Sequence, residues 1–599
     1  MQTNLHASRL SIFLNSDNSD LRVGCGELFV ASYFLPVVRG LRLTANNPQH
    51  HKIKEKQMKK LLLALIILLA GVSFAYGGCV DTFGIGSKAT ALGGAYSAYA
   101  DDPYAVYYNP AGLTQLDRQI MSFGIHMIDP NIEVENYQVS NTNDPLIRDP
   151  KNFSDESRNL YAPHLGYAAP ISDKFALGIA AYAPWGLEVK WDGDPEENPA
   201  AYNYYHSYYV REVVTPTFAY KVSDKLSFGF GVSLGKSKAG EERKGYLTPD
   251  MGGDPVSAQK ISRTQANNVA EGIANVEAGN QASGGLVAPI TTTTAAYQFL
   301  EAYSPGSTAE IATFKGLSQQ GLETPEQVGA YAASSLRGVP AVDHGSHVDL
   351  ELDDNFNYSF NFGVMYRPLD TVTLGLTYRS RTSTEFEGEV KKTRTELDEN
   401  GIERKIEEIS DATLEYDHPE QIQLGVRYVP KSNRDLSFEI DLVWTRWSIN
   451  DVQNLYMDPG LNVYLISDTE PYALRTESLH RRDWEDTKQV RVGVEWKATD
   501  IVTLRAGYFY DPSPIPDDTL ELMWPDADKK TYSLGCGLNF GKFSVDSVFQ
   551  YADIEKARYI NGESENFNES YTGTGIHKEV SASADGNMWG LGMTFNYKF

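Results

Sequence analysis

From about residue 118 to the C terminus, apolar side chains fall on every second position. Leu226, Phe228, Phe230, Val232 and Leu234 alternate with Ser227, Gly229, Gly231 and Ser233. Val372, Leu374, Leu376 and Tyr378 alternate with Thr373, Gly375, Thr377 and Arg379, and Trp589, Leu591, Met593, Phe595, Tyr597 and Phe599 close the chain. Successive side chains of a strand point to opposite faces, so each run predicts a strand with one greasy face and one small or polar face. A soluble sandwich would alternate in the same way, but three features favour a membrane barrel. Many runs exceed the ~5–6 residues of globular strands and reach the ~9–11 that cross a bilayer at a tilt. The polar faces hold Gly, Thr, Arg and Glu, which suits a wet lumen. Tyr366, Tyr378, Tyr428, Trp444, Trp447, Trp496, Tyr508 and Tyr510 lie near strand ends, where interfacial girdles occur. Only a closed barrel satisfies every backbone group in lipid without leaving an edge.

Fourteen such runs can be marked, at about 118–138, 161–171, 175–191, 208–222, 226–246, 347–369, 371–393, 411–430, 435–457, 484–498, 501–514, 528–541, 543–560 and 583–599. Tight joins, such as Pro368-Leu369-Asp370, Thr499-Asp500 and Gly541-Lys542, alternate with long ones. That predicts periplasmic turns at one end and external loops at the other. The longest insertion, 247–346, is rich in Ala, Gly, Gln and Thr, reads partly as helix, and predicts an extracellular cap. The expected fold class is all-β, a 14-stranded antiparallel transmembrane β-barrel over 118–599.

The strongly apolar run from Leu61 to Val72 is too short, at ~1.5 Å per residue, for a bilayer core of about 30 Å. Met58-Lys59-Lys60 precedes it and Ser73-Phe74-Ala75 follows, so 58–75 reads as a signal peptide cleaved after Ala75. Residues 1–57 keep no period and read as an upstream extension from a start codon assigned too early. Residues 76–117 do not alternate either. Gly84-Ile85-Gly86 lacks the preceding strand and the remaining glycines of a nucleotide fingerprint. A compact, small-residue segment ahead of a barrel predicts a plug in its lumen.

Composition narrows the function. Hydrophobic residues at 41% and a mean hydropathy of −0.37 exclude a bundle of membrane helices, whereas 36 Tyr, 25 Phe and 50 Gly suit strands and turns. A net charge of −26 argues against a nucleic-acid partner. Cys25, Cys79 and Cys536 form neither a disulfide framework nor a metal spacing, and no metal, nucleotide or other cofactor is implied.

At this point the chain resembles the FadL-type outer-membrane transporters of long-chain fatty acids and other hydrophobic molecules, over nearly all of 76–599. The resemblance is carried by Asn109-Pro110-Ala111, by Tyr358 to Ser380, and by Pro419-Glu420 and Trp444-Thr445-Arg446-Trp447-Ser448. It continues through Gly507-Tyr508, Asp511 to Pro516, and the terminal Asn596-Tyr597-Lys598-Phe599. It implies diffusive import across the Gram-negative outer membrane, with 76–117 as an N-terminal hatch bearing the Asn109-Pro110-Ala111 motif. The acidic charge suits contact with lipopolysaccharide through bridging divalent cations, and the terminal aromatic Phe599 fits what outer-membrane barrels present to the barrel-assembly machinery. The resemblance also implies lateral release of ligand at an inward kink in the third strand.

The stretch Ala183-Pro184-Trp185-Gly186-Leu187 supplies a cause for that kink, because Pro removes a ladder donor and Gly adds backbone freedom. An ordinary strand end with Trp185 in the girdle is the competing reading. Alignment of the fifth strand places Arg243 on a basic position that binds carboxylate in the family, and a second such position falls at Arg481 or Arg482. A carboxylate leaving water needs cations and hydrogen bonds. The acidic balance, however, favours uncharged ligands such as alkanes or monoaromatics, so an aromatic or alkane uptake channel of the same family is the alternative. A barrel enzyme would use His164, His418 or His480, but no Ser stands in a nucleophile elbow. A non-transporting accessory barrel would keep the fold without the uptake.

Overall fold

The computed structural model describes residues 79–599 apart from 82–83, 143, 158, 247–254, 334–345, 398–401, 465–471 and 572–577. The expected upstream extension (1–57) and signal peptide (58–75) lie outside the described residues.

Fourteen antiparallel strands close into a barrel. The first six are Ile120–Val139, Leu160–Pro170, Phe175–Lys190, His206–Ser223, Leu226–Gly245 and Ser346–Leu369. The next four are each interrupted: Val372–Arg379 with Thr382–Leu397, Glu403–His418 with Gln421–Tyr428, Leu436–Thr445 with Val452–Tyr464, and Tyr472–Arg481 with Thr487–Lys497. Val502–Asp511, Lys529–Asn539, Phe543–Asn561 and Val580–Lys598 complete the set, and the last pairs with the first from Lys598↔Ile120 to Val580↔Val139. Three boundaries differ most from expectation. The eighth strand begins at Glu403 rather than near 411, the ninth ends at Tyr464 rather than near 457, and the tenth begins at Tyr472 rather than near 484. In the eighth and tenth these upper halves carry charged rather than clearly alternating sequence, and neighbouring strands supply their pairing partners.

Near the short turns the greasy faces point outward. Phe230, Leu376, Ile440 and Leu591 are 36–54% exposed, whereas Ser227, Thr377, Asp441 and Thr594 on the alternate positions are buried inside. That is a soluble protein turned inside out, as a lipid-facing wall requires.

Farther up, the polarity reverses. Leu350 and Leu352 of the sixth strand, Phe386 and Val390 of the seventh, and Leu414 and Tyr416 of the eighth are buried in the interior. These are even-numbered positions, like the outward Phe362, Leu376 and Leu424 lower on the same strands, so the sequence has not broken its period. The strands have slipped instead. Buried positions run 350, 352, 354 and then 357, 359, 361 in the sixth strand, 382, 384, 386 above 373, 375, 377 in the seventh, and 414, 416, 418 before 421, 423, 425 in the eighth. The tenth changes from 482 and 484 to 487 and 489. A one-residue slip carries a hydrophobic set to the opposite face. It occurs at a bulge near Asp354 and Asn357 and at breaks such as Pro419-Glu420, where Pro has no N–H for the ladder.

The segment Gly84–Leu116 lies within the lower lumen and touches strands on all sides. It folds as two short helices, Ser87–Ala91 and Ala105–Tyr108, and a 3-10 turn, Pro110–Gln115. Inward glycines make room for it. A Cβ on Gly229, Gly363, Gly375, Gly425, Gly507 or Gly535 would stand 2.1–2.3 Å from an atom of this segment. The expected cap contains the helices Pro255–Ala282, Thr293–Tyr303, Thr308–Gln319 and Pro325–Ala333, which share a core around Ile273, Phe299 and Phe314.

Candidate ligand pocket and its closures

Above the luminal segment, the slipped strands bring their apolar sets together. Leu187, Leu350, Leu352, Phe386 and Leu414 wall a cavity of about 40 Å³, closed by Met523 and Trp524 from the connection between the eleventh and twelfth strands. Trp185, His418, Tyr209, Trp524, Trp484 and Trp447 form a closed circuit of ring contacts beside it, with centroids 5.2–6.0 Å apart. Each such pair adds about 0.5–1.5 kcal/mol to simple area burial. Trp447, expected in the membrane girdle, is therefore interior: the chain leaves the ninth strand after Thr445 in a 3-10 turn, Trp447–Ile449, which folds the indole inward.

Trp185 is interior as well, 6% exposed and stacked on His418 at 5.2 Å, so it does not sit in a girdle. The third strand pairs with the fourth as Tyr182↔Val213 and then Trp185↔Arg211, one residue in excess. This bulge includes Pro184 and turns Trp185, Leu187 and Val189 inward. It also parts the third strand from the second. Their pairing stops at Ala181↔Leu165, and contact resumes where Lys190 O accepts from Glu156 N at 2.6 Å. Between those points lies a slot in the wall, in which Cys79–Asp81 pairs with Gly186 and Trp185. A second cavity, of about 30 Å³, is lined by Tyr107 of the luminal segment together with Pro184 and Trp185.

Asn109 is fully buried. Its Oδ1 accepts from Ala111 N at 3.1 Å and caps the 3-10 turn that starts at Pro110, while its Nδ2 donates to Ser97 O at 2.6 Å and to Val364 O of the sixth strand at 3.0 Å. On the opposite wall, Asp441 Oδ2 accepts from the backbone N–H groups of Tyr96 and Ser97 (3.2 and 3.0 Å), and Glu439 Oε1 from that of Ala98 at 2.6 Å. These two acids were not anticipated. Inward charges at alternate positions, opposite a glycine-rich plug, were the available signal.

The three arginines separate. Arg243 rises from the fifth strand with its guanidinium 5.9 Å from the Tyr204 ring and with Nε buried and without a partner among the described residues. Arg482 is buried, ion-paired to Glu521, and donates to Gln453 Oε1 at 2.9 Å. Arg243, Arg482, Glu241 and Glu521 all act electrostatically on Tyr204, so the fold gathers them at one place. Arg481 points away, half exposed among Asp483, Asp518 and Glu565. Sequence reasoning missed Tyr416, Met523 and Trp524. The signal for Met523 and Trp524 was Leu520-Glu521-Leu522-Met523-Trp524, a largely apolar run in a connection that should have been polar.

The family model for outer membrane protein transport proteins (OMPP1/FadL/TodX) matches residues 66–284 and 274–599. The chain is 22% identical over 555 residues to a long-chain fatty acid transport protein of Escherichia coli O6:H1, covering 90% of this chain and 98% of that one. It is 23% identical over 562 residues to outer membrane protein P1 of Haemophilus influenzae, covering 90% and 100%. Among solved structures, a Pseudomonas aeruginosa FadL homologue superposes with a TM-score of 0.57 at 17% identity, covering 88% of this chain and all of that one. The P. putida toluene transporter TodX superposes with 0.53 at 15% identity, covering 87% and 99%. At these identities the superpositions establish the fold.

Proposed function

Because the chain belongs to the outer membrane protein transport protein family (OMPP1/FadL/TodX), we propose that this outer-membrane barrel imports long-chain fatty acids or other hydrophobic molecules by diffusion. The observation that carries the reading is the apolar, aromatic-walled pocket that lies between a luminal plug and a slot in the barrel wall. Ligand enters under the external cap (247–346) and passes into the pocket, where each buried methylene contributes about 0.8 kcal/mol. The hatch, 76–117 with Asn109, Pro110 and Ala111 at its anchor, then shifts, and ligand leaves sideways at Pro184, Trp185 and Gly186. Lateral exit keeps an apolar molecule out of the polar lumen below. The 40 Å³ cavity is smaller than the ~150 Å³ that holds a benzene, so occupancy requires Met523 and Trp524 to swing aside.

The fatty-acid and hydrocarbon forms of this reading differ at Arg243 and Arg482. A pairing of Arg482 with Glu521 leaves less free positive charge for a carboxylate, which favours uncharged cargo.

The slot supplies the test. Cys79 and Gly186 are register partners, within the usual reach of a cross-strand disulfide. Oxidised Gly186→Cys protein should bind ligand normally but fail to deliver it into proteoliposomes, and reductant should restore delivery. Undiminished delivery by the oxidised protein would end the lateral-exit reading.

A further inference from the structure

Two polar atoms of the pocket have no assigned use. Tyr416 Oη and Trp524 Nε1 are buried without a hydrogen-bond partner among the described residues, on side chains 8% and 6% exposed. Their rings stack with centroids 6.1 Å apart, and both line the cavity walled by Leu187, Leu350, Leu352 and Phe386. Other polar groups of the lining are satisfied: Ser207 Oγ donates to Met523 O at 2.9 Å, Tyr209 bonds His418, and Gln453 Oε1 accepts from Arg482 at 2.9 Å. Outside the lining, His418 Nδ1, Trp484 Nε1 and Glu521 Oε2 are also without a partner among the described residues. Buried polar atoms are generally partnered, and an indole N–H can only donate. The partner that completes this site is therefore an acceptor, which a hydrocarbon lacks.

A carboxylate has acceptors but also brings charge. Glu241 lines the cavity, and Glu521 sits close by, held by Arg482. Arg243 and Arg482 act on Glu241 as the opposing charges. Glu241 and Glu521 already face the two guanidinium groups, so a cargo carboxylate would enter beside two acids and away from water, which is costly.

We propose, resting on the transport reading, that the preferred cargo is a neutral apolar molecule with one acceptor oxygen, such as a long-chain ketone, ester or alcohol. The Tyr416 hydroxyl and the Trp524 N–H hold its oxygen, and the leucine and phenylalanine wall holds its chain. This explains why the pocket combines an apolar lining with two adjacent unpaired donors.

The test is a binding titration of the full-length protein with hexadecane, 2-hexadecanone and hexadecanoate, repeated for Tyr416→Phe and Trp524→Phe. The ketone should bind more tightly than either alternative, with each donor contributing roughly 2- to 12-fold, the range of a neutral hydrogen bond. Each substitution should weaken the ketone by about that factor over and above any change for hexadecane, and heat-modifiable migration in detergent gels should show that the variants are folded. Equal affinity for ketone and alkane, equal losses for both ligands, or a preference for hexadecanoate would overturn the proposal and leave the transport reading standing. If the wild-type protein binds none of the three, the transport reading falls, and this inference with it.

Discussion

One amide, that of Asn109, satisfies three backbone groups: the start of a 3-10 turn, the carbonyl of Ser97 across the plug, and the carbonyl of Val364 in the barrel wall. Asn109→Ala removes a cap and leaves buried carbonyls unpaired, a loss of roughly 2–4 kcal/mol for local docking. Hydrogen exchange over 84–116 should speed up while exchange in the strands is unchanged; uniform protection in the variant would deny Asn109 an anchoring role. Asp102 adds a pH dependence. Burial raises its pKa from 3.8 to about 7, against Lys88 and the Tyr104 N–H, which favour the charged form. The docked plug therefore binds this proton more tightly than the released one, so docking is strongest below about pH 4, weakens as pH rises towards 7, and levels off above it. Single-channel conductance should rise across that window, and Asp102→Asn should flatten the rise.

At the level of elements, a single extra residue in the third strand turns Trp185, Leu187 and Val189 into the interior and opens the wall beside the second strand. Deletion of Pro184 should reverse both. The three side chains return to the outer face, the slot closes, and ligand affinity falls roughly tenfold or more with the loss of buried apolar area. Heat-modifiable migration in detergent gels would show that the barrel survives, and unchanged affinity would show that the bulge does not build the pocket.

Over the whole molecule, the reversal of polarity with height explains a composition that looks contradictory. Exposed acids such as Glu351, Asp353, Glu387, Glu407 and Glu415 coat the upper outer wall, above the band of exposed Leu, Phe and Val. The barrel is membrane-like below and soluble-like above. The cap helices have their own core and an exposed Lys260–Glu403 ion pair to the eighth strand, which is worth little by itself. Removal of 255–333 should leave the barrel folded and its thermal midpoint nearly unchanged, while slowing ligand capture from dilute solution. A barrel that no longer assembles would show that the cap is needed for folding.

Strand count and barrel class were legible in the sequence because they follow from a period-two pattern that ignores distant contacts, and the outer-membrane character from strand length, the apolar segment upstream and the family resemblance. Leu374, Leu376, Phe386 and Val390 show where that legibility ends. They share one parity in the chain, yet the first two face out and the last two face in. Nothing in the alternation marks the slip between Arg379 and Thr382, since a bulge or break depends on how neighbouring strands pair. The same holds for Arg243 and Arg482, which lie 239 positions apart in sequence and meet around Tyr204, and for Trp524, which a loop folds against Tyr416. Local side-chain periodicity determined what kind of wall this is. Strand register, a property of pairs of strands, decided where the wall opens and what its interior can hold.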